Sequence, residues 1–352
     1  MDIYGLRITN AIDGTSFIFN ESTRPASVVW SRRITGNDGI TNDETWSCPI
    51  TIPKNYSACV LGNYSAICEQ IYYSNGSYYY VTGNTKEYIS LDINNGVITV
   101  GGLQRETWNG RKPWNHIKII GYPKSSDEKY GLKILGNNLF LVEPPLSGFG
   151  YATFKKEIII DGVFNPKDID PSLDFDNAIY FFHSDESSSI IRMKRKVWTD
   201  GSSIEYICVN KDNGNYHAAK FKVIAFQKYT LPNRKGAGLR IRNSKNEITF
   251  DSTNNVLTKP VEIIPKNIKL GKQYIVNGIK KPMYIPAIVG ESFYSNGGLG
   301  RFHDVIVGNY DSNTISLYSH YSYESRGTYG EYTEAISTHP ILIIDASDYF
   351  NF

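Results

Sequence analysis

Tyr4-Gly5-Leu6-Arg7-Ile8 returns twice along the chain, as Tyr130-Gly131-Leu132-Lys133-Ile134 and as Ala237-Gly238-Leu239-Arg240-Ile241. The first and third copies match further, because Phe17-Ile18-Phe19-Asn20-Glu21-Ser22 parallels Glu247-Ile248-Thr249-Phe250-Asp251-Ser252. A second phrase precedes the later copies. Ile117-Lys118-Ile119-Ile120-Gly121-Tyr122 stands before the second, and Phe221-Lys222-Val223-Ile224-Ala225-Phe226 before the third. Pro340-Ile341-Leu342-Ile343-Ile344 takes the corresponding place near residue 352. The chain therefore reads as three units of one plan, each opened by a Gly-Leu-basic-Ile strand and closed by an apolar strand. A period of roughly 105–125 residues fits whole domains in series rather than the turns of a solenoid. The units expected are residues 1–128, 129–234 and 235–352.

The 352 residues include 26 Tyr and only 3 Met. Aromatic and β-branched side chains favour pleated, half-buried surfaces. No long stretch carries an apolar period of 3.6 residues; short apolar runs recur instead. Asp13-Gly14, Asn75-Gly76, Asn95-Gly96 and Asn213-Gly214 punctuate them, and such dipeptides suit hairpin turns. Around Asn75-Gly76, the run Tyr72–Tyr80 brings tyrosines opposite one another across the hairpin. The expected fold is all-β, with three tandem β-sandwich or small β-barrel domains of similar plan.

A formal charge of +2 gives no ground for a nucleic-acid partner. The densest basic cluster, Arg192, Lys194, Arg195 and Lys196, falls inside an apparent strand, where neighbours point to opposite faces. It reads as a solvated strand edge. No apolar run approaches the ~20 residues of a membrane helix. Met1-Asp2-Ile3-Tyr4 has neither the basic nor the apolar region of a secretory leader. No membrane insertion is expected. Cys48, Cys59, Cys68 and Cys208 fit no zinc spacing and read as reduced, mostly buried thiols.

Asp168-x-Asp170…Asp174-x-Asp176 places oxygen ligands at alternate positions, a pattern that can suit calcium. It lacks the glycine and the twelfth-position glutamate of an EF-hand, and Pro166 and Pro171 interrupt it, so a solvated loop is the competing reading. The six histidines are scattered, without ligand spacing. Gly297-Gly298-Leu299-Gly300-Arg301 lacks the Lys-Ser/Thr of a phosphate loop and reads as a turn. No Gly-x-Ser-x-Gly is present. No catalytic residue and no cofactor are expected. Carboxylates such as Glu324, Glu331 and Glu334 leave sugar chemistry open, since their separation is a three-dimensional property.

Two segments stand out as contact candidates. The first is Tyr-rich and spans Tyr318, Tyr321, Tyr323, Tyr329 and Tyr332. Such rings with nearby polar groups can stack on sugars or form a protein interface; alternatively the segment is a long hairpin that covers the core. The second holds Arg105, Trp108, Arg111 and Trp114, residue types that dominate interface hot spots. The alternative is that its tryptophans fill the core of unit one.

Gly5-Leu6-Arg7-Ile8-Thr9-Asn10 and Gly238-Leu239-Arg240-Ile241-Arg242-Asn243…Phe250-Asp251-Ser252 resemble the opening of small tail-associated virion proteins of long-tailed bacteriophages. Gly131-Leu132-Lys133-Ile134 fits only at its start. The resemblance implies a non-enzymatic structural part of the tail tip, baseplate or fibre, present as a symmetric multimer among other tail proteins. It implies synthesis in the cytoplasm of a bacterial host and residence in the virion. A module contacting a host-surface glycan or protein is the other reading.

Overall fold

The computed structural model describes residues 150–194, 205–228, 240–242, 248–258, 260–296, 299–326 and 332–352. Before residue 150 it describes Ala26, Ile52 and the strands named next. β1 (Gly5–Thr9) and β2 (Ser16–Asn20) form a hairpin. Then come β3 (Ser27–Thr35), β4 (Trp46–Thr51), β5 (Tyr56–Leu61), β6 (Ala66–Tyr72) and β7 (Tyr79–Glu87). β8 (Ser90–Asn94), β9 (Val97–Gly101) and β10 (Trp114–Pro123) follow. They pair as sheets β3-β10-β5 and β4-β9-β8 and as the hairpin β6-β7. Tyr72 lies opposite Tyr79, and Asn94 opposite Val97, so the strands flanking Asn75-Gly76 and Asn95-Gly96 pair as expected.

β11 (Leu132–Lys133) and β12 (Leu139–Phe140) make a second small hairpin. β13 (Gly150–Asp161), β14 (Val163–Phe164), the single turn α1 (Pro166–Ile169) and β15 (Ala178–His183) succeed it. β16 (Ser189–Lys194), β17 (Glu205–Asn210) and β18 (Ala218–Lys228) end the second unit. A third hairpin joins β19 (Arg240–Arg242) to β20 (Ile248–Asp251). β21 (Val261–Ile263), β22 (Pro282–Tyr284), β23 (Ile288–Asn296) and β24 (Leu299–Asp311) come next. β25 (Thr314–Arg326), β26 (Thr333–Ile336) and β27 (Ile341–Asp345) complete the order. The all-β class is as expected. Each Gly-Leu-basic-Ile copy opens its own two-stranded hairpin. In the third, Arg240 Nε donates to Asp251 Oδ2 at 2.7 Å, which closes the Gly-Leu-Arg-Ile…Phe-Asp-Ser phrase on itself.

Six strands in the order β13-β18-β15-β22-β27-β21 form one antiparallel sheet. β13, β18 and β15 come from the second unit and the rest from the third, joined through Phe182 opposite Tyr284. The expected boundary at residues 234/235 thus runs through a single sheet. The physical reason is burial: both of this sheet's faces are covered. Tyr180, Phe182, Phe221, Val223, Tyr284, Ile341 and Ile343 belong to one apolar core. Ile179, Phe181, Ile224, Phe226, Met283, Ile285, Leu342 and Ile344 belong to another. Strands buried on both faces read as continuous apolar runs, as Ala178–Phe182 and Ile341–Ile344 do.

The first core is closed by the sheet β14-β17-β16 together with β23, β24 and β25. The second takes in Ala26, Cys59, Ile120 and Tyr122 from the first unit. Hydrogen bonds tie the first unit on: Ala26 N–H donates to Leu257 O at 2.7 Å, and Tyr122 Oη to Glu262 Oε1 at 2.6 Å. Cys48, Cys59 and Cys208 are buried, as expected. Gln273–Val276, which reads as a strand, makes only a bridge at Tyr274.

Tyr284 links layers. Its hydroxyl donates to Ile191 O at 3.0 Å and accepts from Ile191 N–H at 2.7 Å. Tyr284→Phe leaves both backbone groups of a buried strand unpartnered there. We expect a loss of about 2 kcal/mol, read from urea denaturation midpoints.

Candidate functional site

The four-stranded sheet β25-β24-β23-β26 has one face turned inward and one turned outward. Strand alternation sorts its residues. Ala335, Glu291, Asp304 and His320 lie in one cross-strand row and are buried, as are Phe293 and Phe302. Glu334, Ser292, His303 and Tyr321 form the adjacent row on the other face, with Tyr294, Arg301 and Glu324 beside it. On that outer face Tyr294 is 42% exposed, Tyr321 50% and Tyr332 53%.

These rings touch in sequence across the sheet. Tyr332 and Tyr294 lie 4.9 Å apart between centroids, Tyr294 and His303 5.2 Å, and His303 and Tyr321 5.9 Å. Polar groups edge the row. Tyr332 Oη donates to Glu334 Oε2 at 2.6 Å, Arg301 Nε lies 3.6 Å from Glu324 Oε1, and the Ser292 and Ser319 hydroxyls share a 3.0 Å hydrogen bond. Partial burial, with Arg301 in support, holds His303 below its ordinary range against the pull of Asp304. Near neutral pH the imidazole is therefore uncharged. The face offers apolar ring area, hydroxyl tips and compensated charges, the combination that makes contacts.

The Tyr-rich segment is thus split. Tyr321 and Tyr332 are exposed on the outer face, at the two ends of the row that Tyr294 and His303 bridge. Tyr318 does not: it is 7% exposed, packs in the core and donates from its hydroxyl to Asn309 O at 3.0 Å. Tyr318 and Tyr321 are three residues apart in an unshifted register, Ile306 opposite Tyr318 and His303 opposite Tyr321, so strand alternation alone sends them to opposite faces. Tyr323 pairs with Phe302, but its side chain lies outside the described residues, as does Tyr329. Arg105, Trp108 and Arg111 also lie outside them; Trp114 opens β10 opposite Thr35, without a described side chain. Tyr294 and His303 belong to the face, yet neither stands out in the sequence reading. The signal available was the alternation Glu291-Ser292-Phe293-Tyr294 running into Gly297-Gly298.

Two carboxylates of the acidic loop, Asp170 and Asp174, accept from backbone amides. Asp170 Oδ1 accepts from Ser172 N–H at 2.8 Å, and Asp174 Oδ1 from Asp176 and Asn177 N–H at 2.9 and 2.8 Å. The amine beside it is the chain's own Lys118, whose Nζ donates to the carbonyls of Phe175 and Ala178. Among the described residues no three His, Cys, Asp or Glu side chains gather where they could hold a metal ion. Asn296 pairs with Leu299, and Gly297-Gly298 between them lies outside the described residues. Arg192 is not on a solvated edge: it is buried on β16.

Comparison of the chain with protein-family models, with curated proteins and with solved structures finds no match.

Proposed function

We propose that this chain works by contact, as a non-enzymatic structural protein of a bacteriophage tail that assembles through its β-sheet surfaces. The observation that carries this reading is the outer aromatic face, where three half-exposed tyrosines stand together on a sheet with a packed inner side. Sheets also offer strand addition at their edges, and symmetric copies turn weak contacts into stable assembly. The Gly-Leu-basic-Ile resemblance supplies the tail. A map of purified tails, with density for this chain in symmetric copies, tests the reading. Tails that assemble and infect normally after its deletion would overturn it.

The variant Tyr321→Ala with Tyr332→Ala separates contact from folding. Surface changes of this kind leave stability within about 1 kcal/mol, while incorporation into tails is expected to fall at least tenfold. Unchanged incorporation would remove this face from the assembly. The same tyrosines favour a second reading, contact with a host-surface glycan or protein. A variant that assembles normally but adsorbs poorly to host cells would select it.

A further inference from the structure

We infer that the junction between the β14-β17-β16 sheet and the four-stranded sheet is an acid-released latch, with His320 as its trigger and the Lys211–Asn215 turn as the part released. His320, on β25, is 5% exposed. Its Nε2 faces Lys211 O at 2.7 Å, and a carbonyl can only accept, so Nε2 carries the proton. Nδ1 is left with its lone pair, buried and, among the described residues, without a hydrogen-bond partner. Gly214 lies on the ring: a Cβ there would stand 3.2 Å from His320 Cγ, and its φ of +72° also favours glycine. The turn is thus fastened to β25 through one imidazole, by a hydrogen bond at one edge and close packing on its face.

Among the described residues Arg192, Asp304 and His303 act electrostatically on that ring. Arg192 reaches the junction from β16, buried, with Nε and Nη1 lacking hydrogen-bond partners among the described residues. Asp304 on β24 is the cross-strand neighbour of His320, and Glu291 on β23 that of Asp304. His303 belongs to the same strand as Asp304 but to the outer face. From the turn itself come Asp212, whose amide is capped by Asn210, and Lys211, whose ammonium is turned away to Tyr310 O at 3.0 Å. Tyr318, on the strand of His320, lies 6.4 Å from the ring.

A second proton on the ring would sit in a dry site beside a guanidinium. Burial first, and then Arg192, hold His320 below its ordinary range, against the Lys211 carbonyl and Asp304. The latched form therefore binds fewer protons than the released one below the ordinary midpoint of about 6.5. Latch stability is complete above that midpoint and is lost as pH falls towards the lower midpoint of the folded ring. Within that window the opening equilibrium shifts by up to about tenfold per pH unit.

Hydrogen exchange of peptides covering residues 205–217, corrected for intrinsic rates, reads the release directly. Between pH 7 and 5 the unaltered protein should lose protection there at up to about tenfold per pH unit. His217→Gln, an exposed histidine beside the same turn, should behave identically, and His320→Gln should show no such loss. An equal loss in His320→Gln, or none in the unaltered protein, overturns the latch. Should His320→Gln not fold, the ring resonances of His320 decide: a midpoint below about 6.5 supports the latch and one at or above it overturns it.

Discussion

Gly290→Ala is expected to destabilise the protein by about 4 kcal/mol, at the upper end of single-residue effects. Gly290 sits at the bulge of β23, opposite Val305 on one side and Ile336 on the other. A Cβ there would stand 2.2 Å from the carbonyl oxygen of Ala335 and 3.1 Å from Ile336 Cα. Both obstacles are backbone, so no side-chain rotation relieves the clash; β26 must move off β23. That movement uncovers Phe293, Phe302 and Ala335, which form a small buried cluster. Gly271→Ala is the control, because its added Cβ meets nothing within 4 Å and only the left-handed φ of +66° costs, about 1–2 kcal/mol. Urea midpoints of the two variants check the difference. Equal midpoints would mean that β26 does not approach Gly290 as closely as described.

Lys118→Ala carries the second large effect, about 3–5 kcal/mol, from a cavity and two deprived carbonyls together. Lys118 is 3% exposed and lies on β10, yet its amine serves Phe175 and Ala178 in the next layer, with Nζ 5.9 Å from the Tyr180 ring centroid. Burial pushes its pKa down from 10.5 to about 7, against the raising pull of Asp176 and Asp174. The sign follows from proton counts. Between about pH 7 and 10.5 the unfolded chain keeps a proton on this lysine that the folded one has released. Stability therefore rises with pH across that window, and the neutral amine still has two hydrogens for its two carbonyls. Lys118→Met, which keeps most of the volume, should abolish this share of the rise between pH 7 and 9.5. An identical pH slope in both proteins would show that Lys118 stays charged.

Much of the architecture was legible because strands advertise themselves locally. Ala178–Phe182 and Ile341–Ile344 are uninterrupted apolar runs, Asn213-Gly214 marks its turn, and each Gly-Leu-basic-Ile phrase starts a hairpin. What stayed hidden was which strands meet. The pairing of Phe182 with Tyr284 joins residues about a hundred positions apart, and nothing in either run names the other. Repetition argued for separate domains, whereas burial on both faces required a shared sheet. The buried charges were hidden for a related reason. Lys118 and Arg192 sit in strand patterns where a basic residue ordinarily marks the wet face, and only the layer packed above each shows otherwise. The Tyr-rich composition did not separate Tyr321 and Tyr332, which are exposed, from Tyr318, which odd spacing along β25 turns into the core.

The seam through the six-stranded sheet also sets a timetable for synthesis. β27 lies between β22 and β21 and supplies side chains to both cores. While the ribosome is still making residues 230–281, the finished β15 and β18 have no β22 beside them, and β27 comes later still. The edge of β15 and its apolar run stay open through that interval, a stretch long enough to recruit a chaperone or a neighbouring nascent chain. Only when Ile341–Asp345 emerge can the gap between β22 and β21 close, so this sheet waits for the strand of its six that is made last.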